Sequence, residues 1–63
     1  MKELDIVKLT KEFNGLKAGT EGTIVLEYDG NYFEVEFFDK DNNTIGVFTI
    51  PAELLEIVKS VRL

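Results

Sequence analysis

The chain contains no cysteine, no histidine and no tryptophan, a single proline, and a single serine, Ser60. Without Cys and His, disulfides and the usual zinc sites are excluded, and only oxygen ligands remain for a metal. The same absences leave no familiar pairing of nucleophile and base, so catalysis has little to build on. No apolar run approaches the ~20 residues of a membrane span. The opening MKELDIVKLT has no apolar stretch behind its lysine, so the expectation is a cytoplasmic protein.

What is present is a chain of 63 residues, 44% hydrophobic and 30% charged. That length makes one domain, 1–63, near the lower limit for a core without disulfides or metal. Charge is uneven. Residues 1–17 carry four lysines against three acids, whereas residues 18–63 carry three bases against nine acids, within a net charge of −5. Such a surface repels nucleic acid and anionic lipid, whose binding needs Lys and Arg on phosphates, and attracts basic proteins.

Period-two patterning predicts strands at DIVKLT (5–10), TIVLEY (23–28), YFEVEFF (32–38) and TIGVFTI (44–50). Asn14-Gly15 and Ala18-Gly19 punctuate a long first loop, and Asp39 to Asn43 separates the third and fourth strands. Asp29-Gly30 reads as a two-residue type I′ hairpin, pairing Tyr28 with Asn31, Leu26 with Phe33, Ile24 with Val35 and Gly22 with Phe37. The last stretch, PAELLEIVKSVRL, fits either of two patterns. One is a helix with Leu54, Leu55, Val58 and Val61 on a face; the other, which would cover an open sheet edge, is one helical turn and a strand placing Leu55, Ile57, Val61 and Leu63 alternately. The expected core is Val7, Leu9, Ile24, Leu26, Phe33, Val35, Phe37, Phe48 and Ile50, with Leu55 and Ile57.

Three stretches invite a chemical reading. Gly19-Thr20-Glu21-Gly22 has the spacing of a phosphate- or RNA-gripping loop, but it precedes a strand and holds an acid. A structural corner accounts for both glycines: Gly19 in a positive-φ turn, Gly22 leaving room for Phe37. Asp39, Asp41 and Asn43 copy the first ligands of a calcium loop, but position six is Thr44 instead of Gly and position twelve is Ile50 instead of Glu. Glu34 and Glu36 share a strand face about 7 Å apart, with no evident cleft to desolvate them. No metal, no cofactor and no catalytic residue is therefore expected.

A binding surface has more support. Pairing Phe37 with Gly46 and Val35 with Phe48 points Phe38, Ile45, Val47 and Val25 outward beside Tyr32, whereas a one-residue slip would put Phe48 outside. Ringed by Glu27, Glu34, Glu36, Asp39 and Asp41, these residues would make an apolar centre with an acidic rim, suited to steering a basic protein partner. Such residues also suit strands in their own right and could be covered by the C-terminal tail.

Five short strands, a long first loop, tight hairpins and one helical turn before the last strand resemble an SH3-like barrel. The segment from Gly46 to Leu55 is similar to the SH3 segment in which a strand ends at proline and a turn delivers the last strand. The aromatic groove of SH3 domains has no counterpart, so PxxP ligands are not expected. LDIVKLT, GLKAGTEGTIV, YFEVEF and TIPAELL are similar, in order and spacing, to the blocks of a family of small prokaryotic single-domain proteins known only as a domain of unknown function. That resemblance implies an antitoxin- or immunity-like accessory of a neighbouring protein. The expectation is thus a non-catalytic, protein-binding SH3-like barrel, a monomer or weak homo-oligomer. An RNA- or ribosome-associated barrel and a self-associating domain are the alternatives.

Overall fold

The structure, a computed structural model, describes residues 1–60. Period-two patterning becomes β1 (Ile6–Leu9), β2 (Glu21–Glu27), β3 (Tyr32–Phe38), β4 (Thr44–Pro51) and β5 (Leu55–Lys59). They form one antiparallel sheet in the order β4-β3-β2-β1-β5. The radius of gyration, 10.5 Å, is close to the roughly 10.6 Å expected of a compact chain of this length. The sheet is therefore curled around its core into a small barrel-like globule. No helix among the described residues is long and apolar enough to cross a membrane.

The C-terminal segment is a turn and a strand. Pro51, at φ −63°, leads into a single 3-10 turn, Ala52–Leu54, and β5 follows along β1. The amphipathic helix is thereby overturned; Val61 and Leu63 lie outside the described residues.

Val7, Leu9, Leu16, Ile24, Phe33, Val35, Phe37, Ile50 and Leu55 are buried together. Phe37 is at the centre, fully buried, and its cross-strand neighbours are Gly22 on β2 and Gly46 on β4. A Cβ on Gly22 would stand 2.6 Å from the Glu36 carbonyl oxygen and 2.9 Å from the Phe37 ring, so nothing larger than glycine fits. On the other side the Phe48 ring occupies the space above Gly46 and meets Phe37 at a centroid distance of 6.0 Å, tilted by 57°. Tilted ring pairs of this kind add about 0.5–1.5 kcal/mol beyond burial.

The β2–β3 hairpin differs from the expected one. Asp29 does not take the positive φ that a type I′ turn requires; Gly30 alone does, at 85°. Asp29 Oδ1 instead accepts the Asn31 N–H at 2.9 Å, and Tyr28 N–H closes on the Tyr32 carbonyl at 3.2 Å, giving a three-residue loop. The extra loop residue shifts Leu26 opposite Glu34 and Glu27 opposite Phe33, and a β-bulge at Val25 restores the expected Ile24–Val35 and Gly22–Phe37 pairs. Leu26, expected in the core, is consequently 41% exposed. Ile57 is 43% exposed because β5 is an edge strand, and Phe48, on the opposite edge, is half-buried.

The type I′ turn is at Asn14-Gly15. Their φ values are 51° and 83°, and Phe13 and Leu16 exchange both backbone hydrogen bonds at 2.9 Å. This small hairpin tips Leu16 into the core.

Gly22→Ala should remove about 2–3 kcal/mol through overpacking against backbone, a large share of the ~3–9 kcal/mol available to a domain of this size. Gly46→Ala meets only the movable Phe48 ring, at 3.2 Å, and should cost less than half as much. Urea unfolding of the two variants beside wild type checks the ranking.

Candidate functional site

The register puts Glu34 and Glu36 in the middle of a sheet face. Both are on β3, the strand between β2 and β4; Glu36 is opposite Thr23 and Val47, and Glu34 opposite Leu26 and Thr49. The expected pairs Phe37–Gly46 and Val35–Phe48 are present, so Val47 points away from the core and is 52% exposed. The arrangement thus has acids at the centre and apolar side chains on either flank: Val25 and Leu26 on β2, Ile45 and Val47 on β4, all exposed. An apolar centre inside an acidic ring is not what the topology permits, because the alternating Glu34 and Glu36 belong to the middle strand.

The two carboxylates lean the same way. Thr49 Oγ1 donates to Glu34 Oε1, and Thr44 Oγ1 donates to Glu36 Oε2 at 3.1 Å. Both threonines are on β4, so both glutamates lean toward that edge strand. Each glutamate is half-buried, which limits screening by water. Among the described residues the one ion pair is Lys8 Nζ with Glu56 Oε1, 3.3 Å, at the other side of the sheet. Neither Glu34 nor Glu36 has a cation beside it there.

The remaining expected residues separate into two ends. Tyr32 is exposed at the hairpin end of β3, opposite Pro51. Glu27 leaves the face altogether: the bulge that turns Leu26 outward sets Glu27 in the row of Phe33 and Ile50. At the other end Phe38, half-buried, and Ile45 border an open groove of about 840 Å³ with Lys17, Gly19 and Lys40. The groove mixes both charge signs, since Glu21 and Asp39 line it too.

Asp39 and Asp41 belong to the β3–β4 loop, and the loop explains them. Asp39 Oδ1 accepts the N–H groups of Asp41 at 2.8 Å and Asn43 at 2.9 Å, while Asn42, at φ 65°, makes the reversal. The Asn43 N–H, and with it the Asp41 N–H, holds the Asp39 carboxyl below the usual aspartate value. The position at which a calcium loop needs a bidentate Glu is Ile50, fully buried in the core. Among the described residues no cluster of acids is arranged to hold a metal ion.

The Gly19-x-x-Gly22 corner is likewise structural. Gly19, at φ 91°, turns the chain between Lys17 and Thr20, whose N–H and hydroxyl both donate to the Lys17 carbonyl at 3.1 and 2.7 Å. Gly22 is packed beneath Phe37 and presents no N–H cradle to a ligand.

A family model matches residues 3–57, and the chain belongs to that family, a domain of unknown function (DUF4926). Neither a curated protein nor a solved structure matches the chain. The matched segment runs from before β1 to Ile57 in β5 and so includes the whole glutamate-bearing face.

Because the folded-state value of Asp39 is depressed, its contribution is full above the unfolded value of about 3.9 and is lost as pH falls through the lower folded value. Asp39→Ala should therefore be less stable than wild type at neutral pH, and the gap should narrow below about pH 4. Urea midpoints measured between about pH 2 and pH 6 check this; a constant gap would contradict it.

Proposed function

We propose that the protein is a non-catalytic binding module that takes a basic protein partner on the β2–β3–β4 face. The observation that carries the reading is the pair of half-buried glutamates, Glu34 and Glu36, hydrogen-bonded toward β4 and flanked by exposed Leu26, Ile45 and Val47. Apolar flanks supply area, and partly desolvated acids supply selectivity for Lys and Arg. Neither glutamate lines a groove or pocket among the described residues, so the two carboxylates are an electrostatic feature in this account and not an acid–base pair.

We read the sheet as an SH3-like barrel, on the strand order β4-β3-β2-β1-β5, the long first loop and the 3-10 turn before the last strand. The biological setting that suits such a module is an antitoxin- or immunity-like accessory to a protein made beside it. RNA binding has weaker support: Gly22 is occupied with core packing, and the groove holding Lys17 and Lys40 also holds Glu21 and Asp39.

The Glu34→Lys/Glu36→Lys double variant should fold, because both side chains are on the outer face. It should lose at least about tenfold in affinity for a basic partner. Pull-down from host lysate with wild type and variant, with bound proteins identified by mass spectrometry, tests the reading. A basic protein retained by wild type and released by the variant supports it; capture unchanged by the double substitution overturns it.

A further inference from the structure

β4 is an edge strand along its outer side, since the sheet order begins with it. Its hydrogen-bond phase is fixed by the Ala52 N–H, which donates to the Asn31 carbonyl at 2.8 Å. In an antiparallel ladder the bonded pairs alternate, so counting back through Ile50–Phe33 and Phe48–Val35 turns the backbones of those residues toward β3. The intervening residues, Val47 and Thr49, point their N–H and C=O groups outward, away from β3.

Edge strands usually carry Lys, inward charges, Pro or bulges that discourage pairing. β5 has Glu56 and Lys59. β4 reads TIGVFTIP, without a charge, and its Pro and its bulge fall at the two ends, at Pro51 and at Ile45, the residue left over where Phe37 pairs with Gly46 and Phe38 with Thr44. The stretch between them is open. On its inner side Phe48 is only half-buried, and on its outer face the Glu34 and Glu36 carboxylates lean from β3 onto its threonines.

We propose that this edge accepts an extended basic segment of the partner as a sixth strand, pairing with the outward groups of Val47 and Thr49. The proposal rests on the acidic-face reading and specifies how the partner is held. Backbone hydrogen bonds supply affinity, and the period of two supplies specificity. Residues of the added strand that face inward cover the Phe48 side of the edge and are apolar. Those that face outward, on the side of Val47 and Thr49, are Lys or Arg, about 10 Å from the β3 backbone, a gap that a long cationic side chain and a leaning glutamate close together. A second copy of the chain fits less well. It would bring a second net −5 surface to the same edge, with its own Glu34 and Glu36 leaning toward the first pair.

The test uses the full chain, isotope-labelled, and three acetylated, amidated heptapeptides of equal charge. One alternates Lys and Val, one is the same peptide N-methylated at alternate residues on its pairing edge, and one has its lysines and valines in blocks. The alternating peptide should bind, slow hydrogen exchange of the Val47 and Thr49 amides by about tenfold or more, and bind at least about tenfold more tightly than the other two. If all three peptides bind alike, with those amides unprotected and binding abolished by Glu34→Lys/Glu36→Lys, strand addition is overturned while the acidic face stands. Failure of all three at low salt overturns strand addition, and the lysate capture described above then decides the acidic face by itself. Protection of Val47 and Thr49 without peptide, rising with protein concentration together with the sedimentation coefficient, would assign the edge to a second copy and overturn the proposal as well.

Discussion

Everything that positions the surface depends on how Phe37 is seated. Its ring needs space at the centre of a very small core, and the chain provides it with a glycine on each neighbouring strand, Gly22 and Gly46. At Gly22 the fit is exclusive, because a Cβ would meet the Glu36 carbonyl oxygen at 2.6 Å. At Gly46 the space is taken by Phe48, whose ring completes the packing. A domain with neither disulfide nor metal has only such packing to select one register over its neighbours.

Once Phe37 is inward, alternation dictates the rest of β3. Glu34 and Glu36 are forced outward, and because β3 lies between β2 and β4 they occupy the middle of a face. Thr44 and Thr49 then hold them toward β4. The packing in the interior and the charge on the exterior are therefore one decision made twice, on opposite sides of the same strand. The edge follows from it too, since the pairing that sets Phe48 against Val35 leaves the backbones of Val47 and Thr49 facing away from the sheet.

Much of this is legible in the residues. The alternation from Phe33 to Phe37 inside YFEVEFF marks β3, and Pro51 followed by an apolar alternation marks the turn and β5. The β2–β3 hairpin is harder, because two dipeptides carry turn chemistry of the same kind. Asn14-Gly15 adopts the type I′ turn, while Asp29 uses its side chain to cap Asn31 and opens the loop by a residue. A bulge at Val25 then absorbs the difference, turning Leu26 out and Glu27 off the acidic face. Nothing local in TIVLEY signals that, since either register keeps Ile24 and Val35 buried. Leu16 is missed for a related reason: its burial depends on the Asn14-Gly15 turn, which looks like loop punctuation until Phe13 and Leu16 are seen to close it. That the acids would lie at the centre of the face was available from the strand order alone, once β3 was placed between two neighbours.

The most direct test of this account is amide hydrogen exchange along β4 in the free protein, followed by NMR. The register built on Phe37 predicts an alternation, with Phe48 and Ile50 protected and Val47 and Thr49 exchanging fast. The opposite alternation, with Val47 and Thr49 protected and Phe48 and Ile50 exposed, would mean that β4 is displaced by one residue. The acidic face and the open edge would then both be wrongly drawn.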